Sequence, residues 1–406
     1  MGADREAKAV AKKSILSGLV SAAADNDPTT VGTIAVAGAV TVYGLEWVLV
    51  LIVPMLIVVQ MLATHLAGVS GKGLQAAVRS RYHVAITWIS LGSIVAVNLI
   101  TIGADLQAGA ASLDLLTGVP EIVWAVPLAL LIGAILSWEN FDRTRAFFSV
   151  LPLAFLAYTA AAVLAHPDWH AVARGFIPHL GRGKQTMQTI LALFGTLLTA
   201  YAYFWQTVEV ATDRPPRRRL LMAELATIPG VLFTFVILWF ILTATAATLG
   251  VHHHQIETAQ DAARALAPFA GRWAPIVFAI GLFGSAFLAV PVLAAGTANA
   301  MCETFRWRGS LDDSPRKAPQ HYAVVYVCLA IGATICFLHV PVVTLLFIAS
   351  IAGGLATPLT LALMMLLERD HRTTRGHRGS PWLVAAGWGV TAIVTLAGIA
   401  FFVTGS

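Results

Sequence analysis

The sequence predicts an all-α membrane protein with eleven transmembrane helices, and three observations carry that prediction. Of 406 residues, 58% are hydrophobic and only 12% charged, against about 25% charged in soluble domains. Apolar segments long enough to cross a bilayer recur along the whole chain. Lysine and arginine are almost confined to the stretches between them, with a strong bias toward alternate stretches.

The segments fall at about 14–42 (interrupted), 46–69, 86–106, 122–138, 146–165, 187–210, 225–249, 274–301, 323–338, 342–367 and 381–403. They read as one transmembrane domain over 1–406. With the N-terminus inside, every cytoplasmic connection is basic, and only Arg174, Arg182, Lys184, Arg264 and Arg272 remain outside. The positive-inside rule is met at each turn of the chain, which puts the C-terminus outside and the protein in a cell inner membrane as a multi-pass component. The net charge of +5 is used up by this pattern. No basic stripe is left for nucleic acid.

The first segment is broken by Asp25-Asn26-Asp27-Pro28-Thr29-Thr30. A charged Asp at mid-bilayer costs about 2.5–3.5 kcal/mol on insertion scales, so such residues face a cavity and mark a site. Pro28 lacks an N–H and clashes with the preceding turn; one half-helix therefore ends near Ala24 and another begins with Pro28 at its first position. Asp27 also suits the N-cap of that second half. A cleaved leader is the competing reading, but the apolar run from Ile15 to Val20 is shorter than the usual h-region of about 7–15 residues. Interrupted helices with exposed carbonyls are where secondary transporters hold ions.

The sixth span mirrors the first. From Thr196 through Thr199 and Tyr201 to Gln206, hydroxyls, small residues and an amide stand where lipid-facing sequence is plain aliphatic. If the chain holds two five-span repeats, spans one and six occupy equivalent places and a shared midplane site is expected between them; a packing face rich in Tyr and Trp is the alternative. Asp105 is expected near the outer end of the third span, as a relay or vestibule charge. The outer loop 250–272 carries an amphipathic run with Ile256, Ala259, Ala263 and Leu266 on one face, and the inner loop 74–82 is a shorter candidate of the same kind. His252-His253-His254 reads as a solvated loop, because three consecutive residues cannot all face one ion. Cys302, Cys328 and Cys336 form neither a disulfide framework nor a metal motif. No catalytic constellation or phosphate loop is visible, so the chain is not read as an enzyme, and neither a cofactor nor an obligate protein partner is implied.

These residues resemble the Nramp family of divalent metal transporters over nearly the whole chain. Asp27-Pro28-Thr29-Thr30 is similar to the family's Asp-Pro-Gly-Asn; Trp47 through Gln60 and Gly68-Val69-Ser70-Gly71-Lys72-Gly73-Leu74 resemble its second helix and following loop; Ala104-Asp105-Leu106 resembles its third-helix motif; and Pro167-Asp168-Trp169 with Arg174-Gly175-Phe176 resembles the segment after helix five. The resemblance implies a single transporter domain of LeuT-type fold, with two inverted five-helix repeats at about 14–165 and 187–367, an extra helix at about 381–403, discontinuous helices one and six, and alternating access for a divalent cation as transported substrate. It implies a site of Asp27, Thr30, Thr196, Thr199 and Tyr201 with the carbonyl of Ala24 and with Asp25, and an accessory role for Asp105 or Gln206.

The departures carry information too. Thr199-Ala200-Tyr201 stands where the family has Met-Pro-His, the later His is Gln206, and Ala108 replaces a typical Glu. Loss of a soft thioether favours hard ions such as magnesium or manganese, and these features resemble the Nramp-related magnesium transporter branch. An amino-acid carrier and a non-transporting membrane sensor are the alternatives on the same fold. Weak or absent proton coupling is expected, and internal pH in proteoliposomes is predicted to stay flat during metal uptake; robust acidification under an inward metal gradient would defeat this.

Overall fold

The structure is a computed structural model that describes residues 26–137, 151–179, 183–213, 217–254, 256–307, 309, 313–377 and 379–405. The first half-helix expected up to Ala24, together with Ala24 and Asp25 themselves, lies outside the described residues. Those residues form helices and connecting turns, without a strand.

Helix α1 (Pro28–Thr41) starts where Pro28 demands, with Asp27 as its N-cap. α2 (Glu46–Ser70) closes on Gly71 in the left-handed region, and the short α3 (Leu74–Arg81) fills the inner loop. α4 (Val84–Thr117) runs well past the expected end near residue 106, stopping only at Gly118, φ +71°. Polar residues that lowered the hydropathy there find acceptors within the protein: the Gln107 amide N–H groups donate to Glu121 and to the Val340 carbonyl, and the Ser112 hydroxyl to the Gly109 carbonyl. Asp105 is therefore buried in the body of α4, which corrects its placement near a helix end.

α5 (Glu121–Leu136) follows, then a 3₁₀ turn (Leu151–Leu156) leading into α6 (Ala157–Leu164), and α7 (Trp169–Gly175), capped by Asp168. The sixth span is split into α8 (Lys184–Leu197) and α9 (Ala200–Asp213). α10 (Arg217–Leu225) and α11 (Thr227–Thr245) precede a π turn at Ala246–Gly250. The amphipathic outer loop forms α12 (Ala259–Arg264), held by a capping box between Thr258 and Asp261, and α13 (Ala267–Ala270); Ala259, Ala263 and Leu266 are buried as their spacing predicts. α14 (Ala274–Phe305), α15 (Pro319–Ile335), α16 (Val342–Arg369) and α17 (Pro381–Gly405) complete the chain.

Eight helical stretches among the described residues are long and apolar enough to cross a membrane. Shorter apolar helices lie at Pro28–Thr41, Glu121–Leu136 and Leu153–Leu164. α1 is buried on almost every side, as a helix without a polar face must be; it packs among α11, α16, α8, α4 and α14. Small residues permit this crowding. A Cβ on Gly195 of α8 would lie 1.8 Å from the Ser350 carbonyl oxygen and 2.2 Å from the Gly354 N of α16. Both obstacles are backbone, so no side-chain rotation relieves them. Gly195→Ala is predicted to destabilise the protein by at least about 1–3 kcal/mol, the usual cost of overpacking, read as a lower melting temperature in detergent. Gly92→Ala, in the interior of α4 with nothing within 4 Å of its would-be Cβ, is the control expected to melt no lower than the wild type.

Candidate functional site

The N-terminus of α1 organises the site. The first N–H groups of a helix have no partner in their own helix, and here Thr29 and Thr30 spend theirs on two different carboxylates. Thr30 N donates to Asp27 Oδ1 at 2.6 Å, the local cap of the helix. Thr29 N donates to Asp105 Oδ1 at 3.0 Å and the Thr29 hydroxyl reaches the same oxygen at 2.6 Å, across 76 residues of sequence. Both carboxyl groups are buried. The positive end of the helix dipole faces them. Asp105 Oδ2 has no hydrogen-bond partner among the described residues.

The second interrupted span closes the site from the other side. α8 ends at Leu197 and α9 starts at Ala200, so Leu198 and Thr199 lie outside the helical ladder. No Gly or Pro forces this break. The Thr357 hydroxyl of α16 donates to the Leu198 carbonyl at 3.2 Å, supplying a donor from a neighbouring helix where the ladder stops. From the broken stretch, Thr196 Oγ1 meets Thr30 Oγ1 at 2.9 Å, and the Tyr201 hydroxyl donates to Asp27 Oδ2 at 2.6 Å. Farther along α1, Thr33 and Ser350 share a hydroxyl contact at 2.6 Å. Ser285 of α14 donates to the Asn26 carbonyl, anchoring the backbone just before the cap.

Of the residues singled out from sequence, Asp27, Thr30, Thr196, Tyr201 and Asp105 thus belong to one hydrogen-bonded cluster, and Thr199 is buried in the break itself. Gln206 is turned elsewhere: its amide donates to Thr64 of α2 at 3.1 Å. Ala24 and Asp25 lie outside the described residues. Sequence reasoning missed Thr29, Ser285 and Thr357. Thr29 carried a signal, since the residue after a helix-opening proline presents an unspent N–H; Ser285 and Thr357 carried none that separates them from ordinary hydroxyls in apolar helices.

Chemically the cluster is an oxygen site. Its donors are carboxylates, hydroxyls and backbone carbonyls, and among the described residues no group of three or more His, Cys, Asp or Glu is arranged to hold a metal. Two carboxylates among hydroxyls suit a hard divalent cation that keeps part of its water.

The chain matches the profile of the "Natural resistance-associated macrophage protein-like" family, Nramp, over residues 18–404. It is similar to the protein named "Divalent metal cation transporter MntH" of Deinococcus radiodurans, with 26% identity over 283 residues, 66% of this chain and 63% of that protein. The protein of the same name from Xylella fastidiosa is 28% identical over 289 residues, 67% of this chain and 59% of the relative. These alignments cover less than two thirds of the relatives' own length. Among solved structures, a mutant of the Eremococcus coleocola manganese transporter superposes with a TM-score of 0.75 at 19% identity, covering 94% of this chain and 84% of that one. MhsT in complex with L-phenylalanine superposes with a TM-score of 0.60 at 13% identity, over 95% and 98% of the two chains. These likenesses establish a shared LeuT-like fold. With its family profile matched almost from end to end, this chain belongs to the Nramp family.

Proposed function

We propose that the protein is a secondary transporter of divalent metal cations, built as eleven spans in a five-plus-five inverted repeat and working by alternating access between α1 and the α8–α9 break. The observation that carries this reading is the pair of buried carboxylates, Asp27 and Asp105, held at one helix N-terminus, with no hydrogen-bond partner for Asp105 Oδ2 among the described residues. A doubly positive ion offsets the repulsion of two such groups in a poorly solvated site, where charge interactions are several times stronger than in water. Asp27 is the principal ligand; Asp105, Thr30, Thr196 and Thr199 contribute directly or through water, and the backbone around Ala24 with Asp25 completes the approach. Tyr201 occupies Asp27 Oδ2 as a hydroxyl donor, so the ion either displaces it or takes the remaining lone pairs.

Selectivity follows from ligand softness. All donors are oxygen and Thr199 stands where a thioether serves in relatives, which favours magnesium or manganese over softer ions. The transporter lies in a cell inner membrane with its N-terminus inside, and it couples weakly or not at all to protons. The competing reading, an amino-acid carrier, draws on the fold neighbour solved with L-phenylalanine. Carriers of that kind place a substrate carboxylate on free half-helix N–H groups, whereas the N–H groups of Thr29 and Thr30 are already spent on Asp105 and Asp27.

Asp27→Ala is expected to abolish manganese and magnesium uptake in proteoliposomes while the protein still elutes as a folded species. Wild-type flux in that variant, or competition of metal uptake by amino acids, would refute the site. Thr199→Met is expected to raise the affinity for cadmium relative to magnesium by about tenfold or more, the equivalent of ~1.4 kcal/mol, in calorimetric titrations of the purified protein. An unchanged cadmium to magnesium ratio would remove Thr199 from the ligand set.

A further inference from the structure

Far along α2 and α16 from the carboxylate pair, two connections converge on a concave pocket of about 230 Å³. Lys72 and Arg81 enter it from the α2–α3 loop and from α3; Arg372 and Arg375 enter from the turn between α16 and α17. Ser70, Ser80 and Thr373 complete the wall. No acidic residue lines it. The volume corresponds to several waters at about 30 Å³ each, enough for one tetrahedral anion with part of its hydration.

The four cations are not equivalent. Arg81 is neutralised by Asp370, its Nε 3.0 Å from Oδ2. Burial pushes the Asp370 carboxyl up, but the Thr373 hydroxyl and N–H together with Arg81 outweigh it and hold it below the usual carboxylate range, so the Arg81 charge stays compensated at neutral pH. Arg375 donates to the Ser70 carbonyl at 3.1 Å, a bond to a neutral acceptor that spans 305 residues of sequence and leaves its charge uncompensated. Lys72 and Arg372 are exposed and form no ion pair among the described residues. Arg79, also on α3, is turned away onto the Glu303 and Thr304 carbonyls. Three uncompensated cations from two separate connections therefore share one hollow. The hydroxyls of Ser80 and Thr373 already donate to the Ala77 carbonyl and to Asp370, so recognition falls to the ammonium and guanidinium groups.

We propose that this pocket binds a phosphate group, carried by an anionic phospholipid headgroup or by a soluble phosphate-bearing molecule, and that the bound phosphate ties the α2–α3 loop to the α16–α17 turn. Guanidinium forks match phosphate oxygens two at a time, and a lysine adds a compact charge. A merely solvated basic face, the ordinary product of the positive-inside rule, would let these side chains diverge. Here Arg375 is pinned by Ser70 and the others close around the same volume. The inference is independent of the transported ion.

The test is the melting temperature of the full-length protein in nonionic detergent, titrated with millimolar inorganic phosphate against chloride at matched ionic strength. A saturable rise is expected in the wild type. In the K72Q/R372Q double variant the apparent affinity is expected to fall by about tenfold or more, since charge-assisted hydrogen bonds are lost, while K72R/R372K retains it. The general stabilisation by phosphate as an excluded salt does not saturate and is the same in all three, so it is separable. A second arm compares nanodiscs of phosphatidylcholine with and without phosphatidylglycerol. Stabilisation by phosphatidylglycerol that K72Q/R372Q loses, without a response to free phosphate, assigns the site to a lipid headgroup; the reverse assigns it to a soluble ligand. If the wild type and K72Q/R372Q respond identically in both arms, the proposal is overturned.

Discussion

Everything in this molecule's interior leans on two peptide N–H groups. Thr29 and Thr30, adjacent in the opening turn of α1, donate to Asp105 and Asp27, and in doing so they fix the start of one helix, the rotation of another and the meeting of two negative groups. A carboxylate inside a bilayer is tolerated only where protein dipoles replace water. The helix terminus supplies those dipoles at the one place where its own donors have no other partner. In the proposed function, folding and ion attraction draw on the same pair of bonds.

The surrounding scaffold extends that economy. α1 is too apolar and too thoroughly enclosed to be held by a lipid-facing stripe, so its position is set by close approach to α8, α11 and α16. Hydroxyl pairs such as Thr30 with Thr196 and Thr33 with Ser350 join the helices across that apolar contact. Such bonds are worth only about 1 kcal/mol each, weak enough to exchange for water or an ion and sufficient, together, to define one arrangement.

Much of this was legible in the sequence, and the reasons differ from residue to residue. The start of α1 could be read because Pro28 suits the first helical position and Asp27 the cap before it. The break at Leu198 and Thr199 could be suspected from polarity but not located, because its stabilising donor is Thr357, 159 residues away. Asp105 was recognised as an unusual charge and assigned to a helix end, because hydropathy fades after it; the helix continues since Gln107 and Ser112 find partners inside the protein. Thr29 was overlooked for a different reason. Its place after a helix-opening proline marks an unspent N–H, but the partner of that N–H and of its hydroxyl, Asp105, lies 76 residues away.

The crossing of Gly195 against Ser350 and Gly354 has one more implication. Where two helices touch main chain to main chain there is no cushion of side chains to shear, so α8 and α16 are coupled as a single strut. Under the proposed alternating access, any rearrangement must carry that strut whole and concentrate its bending at the two residues, Leu198 and Thr199, that belong to neither half of the sixth span.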